Sequence, residues 1–457
     1  MMIDILYLSL LFLSPGYIIS KFINVEKNFL LIPSLSILFW SFGRTFLGLN
    51  YLILNSFANW FIFIILTLFI LRYKEIKSLL FNILILLFLE IMNNQFGILH
   101  IVSTTDYALQ SAISDLSFEP LNFNVPATQA ALLKFMNSNY ILLTLGQFIS
   151  FTLFFFNANS IIKIYNLKPV TILFTIPSFV IFCVLLEIMT IRTHFLSSQV
   201  LCFLVIETFK SPKLRFEENI FLLMLCLFLS SRLENILLYL PMIYLILNNY
   251  FEGQNLINKS GLKLLFATTV PILINYYGYI SGGDLRSNIF IIFLLILLLN
   301  LFIVFKNNKI AIFAFQNLNT IFLILLGFLG LTLFSIFDIK AKNSWLFIIN
   351  HILDTHRGWA VVTIYFLISI IYLVGKSNKK YNHSIFISYL LTFLLIIISS
   401  PLQHSIYGGE QWSSGLTEGL AIYNPYDESQ TRSILQIFLS IVPITTLLVS
   451  KKIKFNF

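Results

Sequence analysis

Phe195-Leu-Ser-Ser-Gln-Val-Leu-Cys-Phe-Leu-Val-Ile-Glu-Thr-Phe209 runs into Lys210-Ser-Pro-Lys213-Leu-Arg215, and Glu217-Glu-Asn-Ile-Phe-Leu-Leu-Met-Leu-Cys-Leu-Phe-Leu-Ser-Ser231 follows. Two apolar runs are thus joined by a short basic loop. Neither run alternates apolar with polar residues, so neither reads as a strand of a transmembrane barrel, and continuous apolar runs predict helices. The same pattern recurs along the chain, at about 3–20, 29–48, 51–72, 78–92, 138–157, 169–189, 195–209, 217–231, 233–248, 264–280, 288–305, 318–337, 360–375, 384–400 and 433–450. The chain is 58% hydrophobic and 11% charged. A soluble chain carries about 25% charged residues, so composition argues against an ordinary globular core. The expected class is all-α: a polytopic transmembrane helical bundle of about 13–15 spans, forming a single transmembrane domain over 1–457.

Charge patterning orients those spans. Lys21, Lys27, Arg72, Lys74, Lys77, Lys163 and Lys168 fall on one side, with Lys210, Lys213, Arg215, Lys259, Lys263, Lys306, Lys309, Lys376, Lys379, Lys380, Lys451, Lys452 and Lys454. By the positive-inside rule this side is cytoplasmic, which places the N-terminus outside and the C-terminus in the cytoplasm. Most Asp and Glu lie on the opposite side. The net charge of +9 therefore reflects orientation and does not call for a nucleic-acid partner. The first run lacks a basic n-region and a small-residue cleavage site, and reads as a retained helix. Cys183, Cys202 and Cys226 all lie in apolar runs, with no disulfide or metal spacing.

Three outer segments are long: 93–137, 338–359 and 401–432. Long loops on one face of a rigid scaffold suit a binding or chemical site better than a central pore. In the first, Thr104 or Thr105 can cap a short helix starting near Asp106. Ala108, Leu109, Ala112 and Ile113 give that helix an apolar face suited to a bilayer surface. Asp106 then stands near the boundary as a general base for a hydroxyl, and the bland reading is a favourable charge at a helix start. A second cluster, Ser230-Ser-Arg232-Leu-Glu234-Asn235, places a charged pair at a helix end. Such a pair must be braced or wet, as a structural brace or as substrate contacts. Arg192 and His194 lie on the same side and can join that cavity. A third, Asp427-Glu-Ser-Gln-Thr-Arg432, opens the last run. Its guanidinium suits phosphate oxygens held bidentately, and the competing reading is a headgroup contact. His351, Asp354 and His356 form the nearest metal-like run, a weak candidate because the two His are five apart and on different helix faces; a divalent metal is left open but not indicated, and no cofactor is certain.

The order of these features resembles the GT-C class of polytopic membrane glycosyltransferases, of the bacterial type with extra N-terminal helices. An acidic residue stands in the first long outer loop, Asp106. Ser-Arg232-Leu-Glu234-Asn resembles that class's mid-chain Arg-x-Glu step, and Thr-Arg432 leading to Pro443 resembles its Arg-hydrophobic-Pro ending. The resemblance covers 78–457 as scattered short motifs, with 1–77 as the extra helices. Tyr107 stands where many members carry a second acid, so Asp115 remains the other possible base. The resemblance implies an inverting transfer of sugar from a polyprenyl-phosphate-linked donor to a glycan, lipid or protein acceptor. Asp106 would be the base, and Arg432, Arg232, Glu234, Arg192 and His194 would contact substrate. It implies a bacterial-type cytoplasmic (inner) membrane, surrounding membrane lipids and an extracytoplasmic active face. Two other readings are an O-antigen polymerase or ligase, disfavoured by net acidic outer loops, and a lipid-linked glycan flippase or transporter, disfavoured by the absence of paired halves.

Overall fold

A computed structural model describes residues 13–23, 29–47, 76–96, 139–166, 194–210, 215–231, 239–251, 259–280, 359–376 and 380–398, with single positions 64, 65, 67, 68, 72, 213, 235, 324, 327, 330, 349 and 440. The described chain is helical. In order the helices are α1 (13–22), α2 (Ile32–Leu47), α3 (Ile76–Phe96), α4 (Asn139–Tyr165), α5 (His194–Phe209), α6 (Glu218–Ser231), α7 (Leu240–Tyr250), α8 (Lys259–Ile280), α9 (Trp359–Lys376) and α10 (Lys380–Ile398).

Local chemistry sets several of these ends. Pro241 stands in the first turn of α7, where a missing N–H costs nothing. Glu218 places a negative charge in the first turn of α6, against the positive end of its dipole. Asn166 takes φ 50 just after α4, the left-handed turn that closes many helices and that Asn tolerates.

The helices pack around α5, which lies against α4, α6 and α7. From Leu196 to Ile206 every residue of α5 is buried. Phe203 of α5, Phe156 of α4 and Phe216 form an aromatic cluster with centroids 5.5–5.9 Å apart. Outward from this centre, α2 packs on α4 and α6, α3 on α4, α8 on α6, α10 on α7, and α9 on α10. Cys202 and Cys226 sit in this core at 0% and 3% exposure. Neither is expected to react with a thiol reagent in the folded protein, and mass spectrometry of alkylated protein should find both labelled only after denaturation.

The expectation of a polytopic transmembrane bundle of about 13–15 spans is corrected here. Among the described residues no helix is long and apolar enough to cross a membrane. A span needs roughly 20 apolar residues, whereas α5, α6 and α7 have 16, 14 and 11. The longer helices carry polar or breaking residues along their length: Asn82 in α3, Asn157 and Ser160 in α4, Pro271 in α8. The error has a physical origin. An apolar run satisfies a hydropathy window equally well when its partner is other protein, and α5 is buried on all sides by protein.

The N-terminal hairpin shows how closely two of these helices approach. Ser36 of α2 accepts a hydrogen bond from the Gly16 N–H at 2.9 Å and donates to the Leu13 carbonyl at 3.2 Å. Asn82 then ties α3 to this hairpin, donating towards the Tyr17 hydroxyl at 3.3 Å and the Phe29 carbonyl at 3.5 Å.

Candidate functional site

Ser197, Ser198 and Gln199 are consecutive, polar and fully buried near the start of α5. Consecutive helical residues point about 100° apart, so the three address different neighbours. Ser197 shares a short hydrogen bond with Ser231 at the end of α6. The Asn235 amide donates to Ser197 Oγ at 3.1 Å, to Ser231 Oγ at 3.0 Å and to the Phe228 carbonyl at 2.7 Å. Ser231 Oγ also donates to the Phe228 carbonyl at 2.8 Å, so Asn235 and Ser231 together fasten this part of α6 to α5. On the other flank Asn157 of α4 donates to the Gln199 carbonyl at 2.8 Å and to Gln199 Oε1 at 3.4 Å. The result is a neutral polar seam through the α4–α5–α6 core.

A charged cluster closes the opposite end of α5. Glu207, fully buried, pairs with Lys210 and accepts the Phe216 N–H at 2.9 Å. The Lys210 ammonium also lies 4.6 Å from the Phe216 ring centroid, a cation–π contact. Arg215 spends its N–H groups on main-chain carbonyls: Tyr250 at 2.7 Å, Lys210 at 3.2 Å and Thr208 at 3.5 Å. Thr208 and Tyr250 lie in the last turns of α5 and α7, so one guanidinium caps two helices, on the side where a cation suits the dipole. Tyr250 stacks on Phe221 with centroids 3.7 Å apart and donates to the Phe216 carbonyl at 2.5 Å. Burial pushes its phenol up, and the nearby Glu207 adds to that push. The cluster is a structural brace: both Glu207 oxygens and the Arg215 guanidinium bond to groups within it.

Of the residues singled out from sequence, His194 is the first residue of α5. Asp106, Asp115, Arg192, Arg232, Glu234 and Arg432 lie outside the described residues, as do the expected short helix near Asp106 and most of the three long outer segments. The structure does place the neighbours of two of these groups together. Ser231 and Asn235, which bracket Arg232 and Glu234, bond to Ser197, three residues beyond His194. Sequence reasoning missed Asn157, Ser197 and Gln199. Their signal was present: three adjacent polar residues, and an Asn, inside otherwise apolar runs. Among the described residues no group of three or more His, Cys, Asp or Glu is placed to hold a metal ion.

Comparison of the chain with known protein families, characterised proteins and solved structures found no match.

Proposed function

We propose that this protein is a membrane-associated glycosyltransferase that moves a sugar from a polyprenyl-phosphate-linked donor to a glycan, lipid or protein acceptor. The observation that supports it is the Ser197–Ser231–Asn235 lock. It joins the start of the helix opened by His194 to the segment carrying Arg232 and Glu234, two groups for which the resemblance implies substrate contact. Contact with lipid is supported by the outer face of α3, where Ile76, Leu80, Leu84, Phe88 and Ile91 recur at helical spacing and are each about half exposed. The reading includes an extracytoplasmic active face at a bacterial-type inner membrane.

In this reading Asp106 takes the proton from the acceptor hydroxyl as that oxygen attacks the anomeric carbon. The polyprenyl phosphate leaves, and inversion follows from the single displacement. Arg432 binds the departing phosphate oxygens, stabilising the charge that develops on them. Asp106→Asn keeps the side chain's size and removes the base. Transfer from a labelled lipid-linked donor should fall by at least about 100-fold while the amount of protein in the membrane is unchanged. Near-normal transfer by this variant would remove Asp106 from the reaction and make Asp115 the next carboxylate to test.

A further inference from the structure

Asn157 is fully buried, and among the described residues its Oδ1 has no hydrogen-bond partner. Its orientation is settled by its surroundings. The amide nitrogen faces two acceptors, the Gln199 carbonyl and Gln199 Oε1, so rotating the amide by half a turn would set oxygen against oxygen. The unmatched acceptor is therefore a property of the site. Buried side-chain carbonyls are nearly always hydrogen-bonded, to protein, to ordered water or to a ligand, because an unmet one carries its full desolvation cost.

The neighbourhood selects the kind of donor. Asn157 meets α5 at Gln199, whose amide in turn donates to Ser198 Oγ at 3.4 Å, and both of these residues are neutral and fully buried. A cationic donor would lose its hydration there with no carboxylate among these residues to balance it. A hydroxyl fits better, since it donates one bond and accepts others, and serine hydroxyls and amide groups offer both complements. Among the described residues Asn82 Oδ1 of α3 and Ser34 Oγ of α2 also lack partners.

We propose that Asn157 Oδ1 is a hydroxyl-binding seat at the α4–α5 face of the polar seam, filled by a hydroxyl of the transferred sugar or by a buried water molecule. The sugar form of the proposal rests on the glycosyltransferase reading above; the seat itself does not.

The test uses the full-length protein in detergent, with free glucose, galactose and N-acetylglucosamine as probes. An experimental density map fine enough to show ordered water is determined with and without each sugar. Thermal unfolding is followed in parallel for the wild type, Asn157→Leu and Ser34→Ala. The expected result is sugar density with a hydroxyl oxygen about 2.5–3.0 Å from Asn157 Oδ1. A sugar-induced rise in Tm accompanies it in the wild type and in Ser34→Ala, and is lost in Asn157→Leu. A water-sized peak at that place, unchanged by every sugar, supports the seat and removes the sugar from it. No density within hydrogen-bond distance of Oδ1 under any condition overturns the proposal. So does a sugar-induced Tm rise that survives in Asn157→Leu with the sugar bound elsewhere. If Asn157→Leu fails to fold, the wild-type maps decide alone.

Discussion

Arg215→Leu is expected to destabilise the protein by about 3 kcal/mol, since hydrogen bonds to charged groups each contribute about 1.5–3 kcal/mol and a part of that is recovered by water. The guanidinium meets carbonyls at the ends of both α5 and α7, at 2.7–3.5 Å. Leucine keeps much of the stem's apolar packing and offers no donor, so those main-chain oxygens lose their side-chain partner. Arg215→Lys separates charge from geometry. One ammonium keeps the favourable interaction with the helix ends, yet it cannot span three carbonyls as a planar fork does. It should retain roughly half of the stability lost in Arg215→Leu. Chemical denaturation followed by helical circular dichroism measures both. A loss of under about 0.5 kcal/mol in Arg215→Leu, the usual range for an unremarkable surface substitution, would mean that the two helix ends are not joined by this residue.

The second large effect is expected at Gly16. A Cβ built there would overlap the Ile32 carbonyl oxygen and Ser36 Oγ, and would lie 3.0 Å from Ile32 Cγ2. The carbonyl is part of the α2 backbone, so no side-chain rotation relieves the clash. Gly16→Ala should therefore destabilise by about 3 kcal/mol, at the upper end of overpacking. The sign is informative, because helix propensity alone favours alanine over glycine by about 1 kcal/mol. Ser36→Ala removes only the hydrogen bonds to Gly16 and Leu13 and should cost about 1 kcal/mol. Comparing the two by thermal unfolding tests the close approach directly. A Gly16→Ala variant as stable as the wild type would show that α1 and α2 stand farther apart than the Gly16–Ser36 bond requires.

Some helix positions were legible without coordinates, whereas α4 runs to Tyr165, beyond the expected 138–157, and α7 covers Leu240–Tyr250 where 233–248 was expected. The apolar runs 195–209, 217–231 and 360–375 coincide within a residue or two with α5, α6 and α9, because a continuous apolar run bounded by charges or a loop proline has few other solutions. What those helices face was not legible. Phe203, Leu204 and Val205 belong to a run expected to span a membrane, and in the fold they are fully buried against protein. Hydropathy measures a residue's preference to leave water and is silent on whether lipid or protein receives it.

The polar sites divide in the same way. The sequence by itself determined the composition, the order of the helices, the charged loop 210–215 and the polar step at 230–235, all of which are properties of neighbours along the chain. Only the tertiary structure decided that Asn235 reaches back to Ser197, that Asn157 meets Gln199, and that Arg215 closes two helices at once. Those partners are 38, 42 and 35 residues apart. A buried polar side chain is stable only beside a complementary group. Sequence shows that such a group is needed, and packing determines which residue supplies it.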